Sequence, residues 1–458
     1  MKDLTQGPIY KHLISMSVPV LFGMFVQTLY FLVDLYFVGQ LGEAALAGVS
    51  SAGVLFFFVM ALTQVLNVGV GTLVSHAVGK KDKQEASLLL NQGVFISIMC
   101  IAVLLGMAVS GGSWYFANIA PDEASLVASL SYFYWFLPAL LIQFPMTVIM
   151  ASLRGAGVVK QPMMISMFAL AINTILSPIL ITGWGFGIEM GVAGAALASS
   201  ISASIGLVLL GAYFKLRESY LTCTLRGCTP DLHRIKKIIN LGLPAGGESL
   251  LTFIYMSLIY WVLSDFDASA QAGFGLGARI MQALFLPVVA VAFAAPAIAG
   301  QNFAAGKTER VYQTYYQSAL LTCGFMLIIN VVCMFNATLF LGPFSNDPNV
   351  VNMASVFLGY VCFNFVPAGY VLAASGMFQA LGNAWPALIS TAVRLSLFSL
   401  SLIVVAAHAD FSIEQIWMLS VATVYVQAIV SFFLLRSELA KKLGQQTRSH
   451  TEAQTQAS

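Results

Sequence analysis

The sequence predicts an all-α polytopic membrane protein: twelve transmembrane helices in two six-helix lobes, related by a pseudo-two-fold axis along the membrane normal. Three observations lead there. First, 59% of the 458 residues are hydrophobic and only 9% are charged, with a mean hydropathy of +0.86. Soluble domains run at about 45–50% and about 25%, so most of this apolar surface must face lipid. Second, the chain holds twelve stretches long enough to cross a bilayer. Third, its two halves repeat one another. A net charge of +2 also excludes a nucleic-acid polyelectrolyte.

A bilayer core needs about 20 apolar residues per helix. The stretches that meet this are 13–38, 47–73, 88–111, 128–153, 162–183, 190–214, 235–264, 271–299, 315–341, 351–380, 386–407 and 414–436. Short connections carrying Gly, Pro, Asn or charge separate them. The exception is the longer 215–234 loop near the midpoint. The expected organisation is therefore an N-lobe over 1–214, a cytoplasmic linker over 215–234, a C-lobe over 235–436 and a disordered tail over 437–458.

Orientation follows from the bases. Nineteen of the 21 Lys and Arg residues fall at the N-terminus, in even-numbered loops or at the C-terminus, and the odd-numbered loops hold only acids such as Glu43, Asp122, Asp265 and Asp347. The positive-inside rule then places both termini in the cytoplasm. The N-terminus lacks a signal-peptide pattern, so the first stretch is expected to remain as a helix.

A shift of 225 residues lays Pro19 on Pro244, Ala47 on Ala272 and Gly48 on Gly273. A shift of 227 lays Ala77-Val78-Gly79-Lys80 on Ala304-Ala305-Gly306-Lys307, and Gly157 with Pro162 matches Gly382 with Pro386 if one gap is allowed. Six helices per repeat is even, so both halves enter from the same side and the repeat is parallel. Such folds place a substrate between two bundles.

Four charges remain inside the membrane: Asp34, Glu248, Arg279 and Arg394. Each costs about 2.5–3.5 kcal/mol on insertion scales, which makes it a functional candidate. Asp34 lies roughly 22 Å beyond Pro19 at 1.5 Å per residue, with Gln27 and Tyr30 on the same helical face. Desolvation disfavours its charged form, suiting it to load and release protons. Pro19 lacks an amide proton and frees the carbonyl of Ser15, a potential hinge. Glu248, in Pro244-Ala-Gly-Gly-Glu248, is either a substrate or second proton site or a buried structural group. It aligns with Gly23, whereas Asp34 aligns with Ile259. Arg394 reads as a structural partner of a carbonyl or acid, and Arg279 as a residue near a helix end.

Other chemistry is sparse. Cys223 and Cys228, spaced C-x4-C near His233, lack the tighter pairs of a zinc site, so reduced thiols are expected, with no metal and no cofactor. No HExxH motif or Ser/His/Asp set is present; His76, His233 and His408 sit at loops or helix ends, and no catalytic residue or enzyme activity is expected. Nothing repeats as a channel filter.

The assembled residues resemble the multidrug and toxic compound extrusion (MATE) transporter family over essentially the whole chain. The matching pieces are Pro19 with Asp34 in V-D-L-Y-F-V-G-Q-L-G, then Ala44-Ala45-Leu46-Ala47-Gly48 and Leu153-Arg154-Gly155-Ala156-Gly157. Asn173 in I-N-T-I-L-S-P, Gly194-Ala195-Ala196 and Gly300-Gln301-Asn302 with Ala305-Gly306 and Arg310 complete them. The resemblance implies a secondary active antiporter of the bacterial inner membrane, exporting cationic or amphiphilic organic compounds as a monomer. Asp34 would be its cation-coupling residue, joined by Tyr30, Asn173, Ser177 and Ser199. Gln27, Asp34, Glu248, Tyr255 and Asn364 would line the substrate cleft. The family pattern N-x-x-x-D-P has Ser177 in place of its Asp here, and Ser199 stands where Thr is usual. One carboxylate makes a poorer cage for a hard cation than two, so protons are the expected coupling ion, with sodium as the alternative. A lipid-linked oligosaccharide flippase of related fold is the other reading; it would need more bases than Arg279 and Arg394.

Overall fold

The computed structural model describes residues 2–185, 189–217, 220–224, 229–264, 266–336, 338–341, 348–406 and 411–457. Arg226, Cys228, Asp265, Asp347 and His408 lie outside the described residues. The helices are α1 (Ile9–Gly39), α2 (Glu43–Gly79), α3 (Lys83–Ile119), α4 (Glu123–Gly155), α5 (Lys160–Thr182), α6 (Val192–Arg217) and α7 (Leu232–Leu263). They continue with α8 (Ala268–Ala304), α9 (Thr308–Asn336), α10 (Thr338–Leu341), α11 (Pro348–Val361), α12 (Phe365–Ala380), α13 (Trp385–Ala406) and α14 (Ile413–Ala457). Among the described residues there is no strand, and twelve spans are long and apolar enough to cross a membrane, α11 and α12 counting as one. Each overlaps one of the twelve apolar stretches read from the sequence, the largest departure being 315–341, which runs beyond the end of α9 at Asn336.

Between α11 and α12 the helix tightens to a 3₁₀ turn at Cys362–Asn364. Pro367 offers no N–H to the carbonyl four residues back, so the α-helical ladder breaks there. At the C-terminus, α14 runs on to Ala457 where a disordered tail was expected. Its continuation buries Leu439 and Leu443 against Val311, Phe378 and Leu381, an anchor the polar composition of the tail conceals.

Turn geometry defines the repeat. The chain leaves α4 through Gly157 at φ 78° and α12 through Gly382 at φ 75°, with Val158 N–H bonding Leu153 O (2.8 Å) and Asn383 N–H bonding Phe378 O (3.0 Å). It leaves α2 through Lys81 at φ 61°, with Asp82 N–H on Ala77 O, and α8 through Gly306 at φ 72°, with Lys307 N–H on Asn302 O. The 225-residue register thus holds at this loop too. The 227-residue match expected there is a coincidence of small residues: Lys81, not Gly79, occupies the place of Gly306.

The chain forms two compact units, Met1–Asp3 with Phe22–Gly246 and Leu4–Leu21 with Gly247–Ser458. The sequence placed the boundary at the 215–234 linker; the units divide instead inside α1 and α7. In the first unit, Gly242 packs so closely on α2 that a Cβ there would lie 1.9 Å from Val65 O. The linker is tied to α3, where the buried Gln92 donates to Thr229 O (2.8 Å) and accepts from Asp231 N–H (3.0 Å). In the second unit, residues 4–7 are held by Gln301, Asn302, Lys307 and Arg310, including Leu4 N–H to Gln301 Oε1 at 3.1 Å. These bonds explain the unit membership of each helix start. The first core gathers Val59, Leu66, Phe116, Phe133 and Phe144; the second gathers Phe274, Phe357, Phe398 and Trp417.

Candidate functional site

The first unit holds a buried polar cluster built from three helices, each contributing two residues a turn apart. From α1 come Tyr30 and Asp34, from α5 Asn173 and Ser177, and from α6 Ser199 and Ser202. Asp34 is 8% exposed, Asn173 2% and Ser177 1%. Ser177 lies 3.3 Å from Asp34 Oδ1 and 2.9 Å from Asn173 Oδ1. Asn173 donates to Ser199 (3.1 Å) and Ser202 (3.0 Å), and Tyr30 shares a 2.9 Å hydrogen bond with Ser199. A backbone approach sets this geometry: a Cβ on Gly194 would sit 2.1 Å from Leu180 O, so glycine lets α6 press against α5 just before Ser199.

Asp34 and the four residues expected to join it, Tyr30, Asn173, Ser177 and Ser199, are therefore brought together. The sequence reading missed Ser202, and also Tyr132 of α4, which lies within Coulombic reach of Asp34. Gln27 is exposed and bonds none of the cluster. It shares a face with Asp34 but stands about 10 Å away along the axis.

In the second unit the candidates fall into two groups. Glu248 accepts from Ser375 of α12 (3.3 Å) and Thr391 of α13 (3.4 Å), and Thr391 accepts from Gln427 of α14 (3.0 Å). Tyr255 and Asn364 meet at Ser420 of α14, at 2.8 and 3.2 Å. The Arg394 guanidinium lies over the Tyr255 ring, 4.5 Å from its centroid. Arg279, expected near a helix end, is an exposed residue well inside α8. Arg154, read as a loop base, belongs to the last turn of α4 and bonds Asn67 Oδ1 at 2.7 Å.

Pro19 lies within a continuous α1, and Pro244 within α7. The divisions between compact units, at Leu21/Phe22 and Gly246/Gly247, fall two residues past each proline.

Twelve membrane-spanning helices, an internal repeat and buried polar clusters define a polytopic membrane transporter. The MatE family model matches residues 19–179 and again 244–405, beginning at the two prolines that the 225-residue repeat superposes. The chain belongs to this family. Among curated relatives it is 27% identical to an FAD transporter of Shewanella oneidensis, covering 90% of this chain and 91% of the relative. It is 26% identical to the probable multidrug resistance protein YpnP of Bacillus subtilis (83% and 86% covered) and 23% identical to the multidrug export protein MepA of Staphylococcus aureus (95% and 96%). Of solved structures, an outward-facing multidrug resistance MATE family transporter of the MOP superfamily superposes with a TM-score of 0.88 at 24% identity, covering 96% of this chain and 98% of that one. A MATE protein in its bent conformation gives 0.89 at 24% identity, covering 97% and 98%. These structures share the fold.

Proposed function

We propose that this transporter exports cationic or amphiphilic organic compounds in exchange for protons entering on Asp34. It works as a monomer in the bacterial inner membrane with both termini in the cytoplasm, as the distribution of its bases supports. The observation that carries the reading is the composition of the first unit's cluster: a single buried carboxylate among hydroxyls and one amide. A proton needs one carboxylate; a hard cation is better served by several oxygen ligands with more charge.

Protonation of Asp34 removes the charge that the Ser177 hydroxyl faces. The carboxyl then competes as a donor for the oxygens of the cluster, and the link between α1 and α5 loosens. Pro19, with no amide hydrogen bond to restrain it, lets α1 bend, and the substrate leaves as the N-lobe cavity shrinks. One charge moving inward across 100 mV releases about 2.3 kcal/mol, enough for a roughly fortyfold gradient at 1.4 kcal/mol per decade.

Everted vesicles loaded with a fluorescent cationic dye, under separate pH and sodium gradients, test this. Asp34→Asn is expected to abolish pH-driven export at normal expression; full export by that variant defeats the mechanism. Export driven by sodium and indifferent to pH would favour sodium coupling. The FAD transporter relative supports a second reading of the cargo, a flavin nucleotide, which the same assay addresses with a flavin in place of the dye.

A further inference from the structure

Tyr30 and Tyr255 are counterparts in the 225-residue repeat, and each bonds a serine on the last helix of its repeat: Ser199 at 2.9 Å and Ser420 at 2.8 Å. Both serines stand seven residues past the start of their helices, α6 at Val192 and α14 at Ile413. An asparagine donates to each serine, Asn173 at 3.1 Å and Asn364 at 3.2 Å. The Tyr–Ser pair is built twice, with asparagines from different helices, α5 in the first unit and the 3₁₀ turn before α12 in the second, and with opposite charges beside it. One turn past Tyr30 stands Asp34; one turn past Tyr255 stands the buried, apolar Ile259. The charge of the second core is Arg394. On the repeat it falls on Ala169 or Leu170, so the Tyr–Ser bond forms in the first unit with no cation beside it.

Among the described residues, no acid forms an ion pair with Arg394. It lies midway along α13, on the face with the buried Thr391, Phe398 and Leu402. A guanidinium carries five N–H donors. Among the described residues its recorded neighbour is the Tyr255 ring, and its Nε–H is sealed from solvent without an acceptor. Glu248 bonds Ser375 and Thr391, the latter one turn before Arg394 on α13, and among the described residues no ion pair joins it to Arg394. Nearby, the buried Trp417 Nε1 and Asn364 Oδ1 are likewise without partners. A half-buried guanidinium at mid-membrane depth, with a tyrosine face beneath it and an unused Nε–H, has the chemistry of an anion receptor.

We infer that the second unit holds a site for an anionic group, a phosphate or carboxylate, of an amphiphilic substrate, with Arg394 as the charge partner and Tyr255 as its platform. It rests on the export reading above and names, within its amphiphilic cargo, molecules joining an apolar or aromatic body to an acidic group.

The test is equilibrium binding of riboflavin and of flavin mononucleotide, which differ by one phosphate, to purified protein in phosphatidylcholine nanodiscs. Flavin fluorescence is the readout, and no ion gradient is present. Wild type is expected to bind the mononucleotide at least about tenfold more tightly, one decade being 1.4 kcal/mol. Arg394→Gln should erase the difference, and Arg394→Lys, which keeps the charge but not the fork, should retain part of it. Equal wild-type affinities, or a preference that survives in Arg394→Gln, overturn the inference. So does a preference abolished by adding phosphatidylglycerol, since the site would then hold a lipid headgroup. If Arg394→Gln does not fold, the wild-type and Arg394→Lys comparisons still decide. Because no gradient enters, failure here is separable from failure of the export reading, which Asp34→Asn vesicles decide.

Discussion

Ser177 reaches Asp34 at 3.3 Å and Asn173 at 2.9 Å with a single hydroxyl proton. A hydroxyl donates one hydrogen bond at a time, so the carboxylate shares its donor with an amide oxygen. The cluster responds to the charge on Asp34 through this one rotor. Restoring the family's usual residue with Ser177→Asp sets a second carboxylate within a few ångströms of the first and makes a better cage for a hard cation. Sodium stimulation of dye export at fixed pH is expected to appear, with a roughly tenfold gain in sodium affinity, about 1.4 kcal/mol. A sodium titration in vesicles checks it; an unchanged response would show that a second carboxylate is not the missing element.

The paired tyrosines allow a symmetric comparison. Tyr30→Phe and Tyr255→Phe each delete one hydroxyl from a buried network while keeping the ring. Interhelical hydrogen bonds in membranes average about 0.6 kcal/mol, with a maximum near 1.7. Both variants should lower the thermal unfolding midpoint in detergent by similar small amounts. Only Tyr30→Phe, one turn from Asp34, should also impair pH-driven export. A deep export defect in Tyr255→Phe with a normal Tyr30→Phe would reverse the functional order of the two cores.

Helix number and family were legible in the sequence because both rest on local properties: runs of apolar residues, and short motifs around Pro19, Asp34 and Asn173. The coupling cluster was legible in part. Tyr30, Asp34, Asn173, Ser177 and Ser199 could be named from one helical face and a family pattern. Ser202 looked like one more small residue in a serine-rich helix until Asn173 was seen to bond it. Gln27 illustrates the opposite limit, since periodicity fixes the face of a helix but not the depth at which neighbouring helices supply partners. The division of α1 between the compact units rests on hydrogen bonds such as Leu4 with Gln301, 297 positions apart, and that of α7 on bonds such as Gln92 with Thr229, 137 positions apart. No local pattern encodes those. Arg394 could be noticed as a charge, but its place over the Tyr255 ring, with no ion pair among the described residues, is a property of the packing alone.

Outside the membrane, Asp122 caps α4 by accepting from the Ser125 backbone N–H at 2.7 Å. That hydrogen bond, with a further one to the Ser125 side chain, holds the carboxyl below its ordinary value. The cap contribution is therefore complete above the unfolded value of about 3.9 and is lost as pH falls through the lower folded value. Asp122→Asn retains a side-chain oxygen for the cap but removes the titration. The stability advantage of wild type over this variant should shrink between about pH 5 and about pH 3, below the unfolded carboxyl value. Thermal unfolding across that range measures it, and a constant difference would mean the cap charge plays no part.

Lys81 at φ 61° and Gly306 at φ 72° fill the same turn in the two repeats, closing α2 and α8 with the same pair of backbone hydrogen bonds. A left-handed conformation costs a side-chain-bearing residue roughly 1–2 kcal/mol that glycine does not pay. The turn is thus strained in one repeat and relaxed in the other, and exchange of the residues should move stability in opposite directions. Lys81→Gly is expected to stabilise the protein by about 1 kcal/mol, less a part for the greater freedom of glycine in the unfolded chain. Gly306→Lys should destabilise it by about the same amount. Since Lys80, Lys83 and the other bases remain, orientation in the membrane should be unaffected, which isolates the backbone effect. Unfolding of each variant in detergent gives the sign. If Lys81→Gly destabilises instead, the lysine side chain holds its turn through contacts that outweigh the strain, and the equivalence of the two turns would be one of shape without a shared energy.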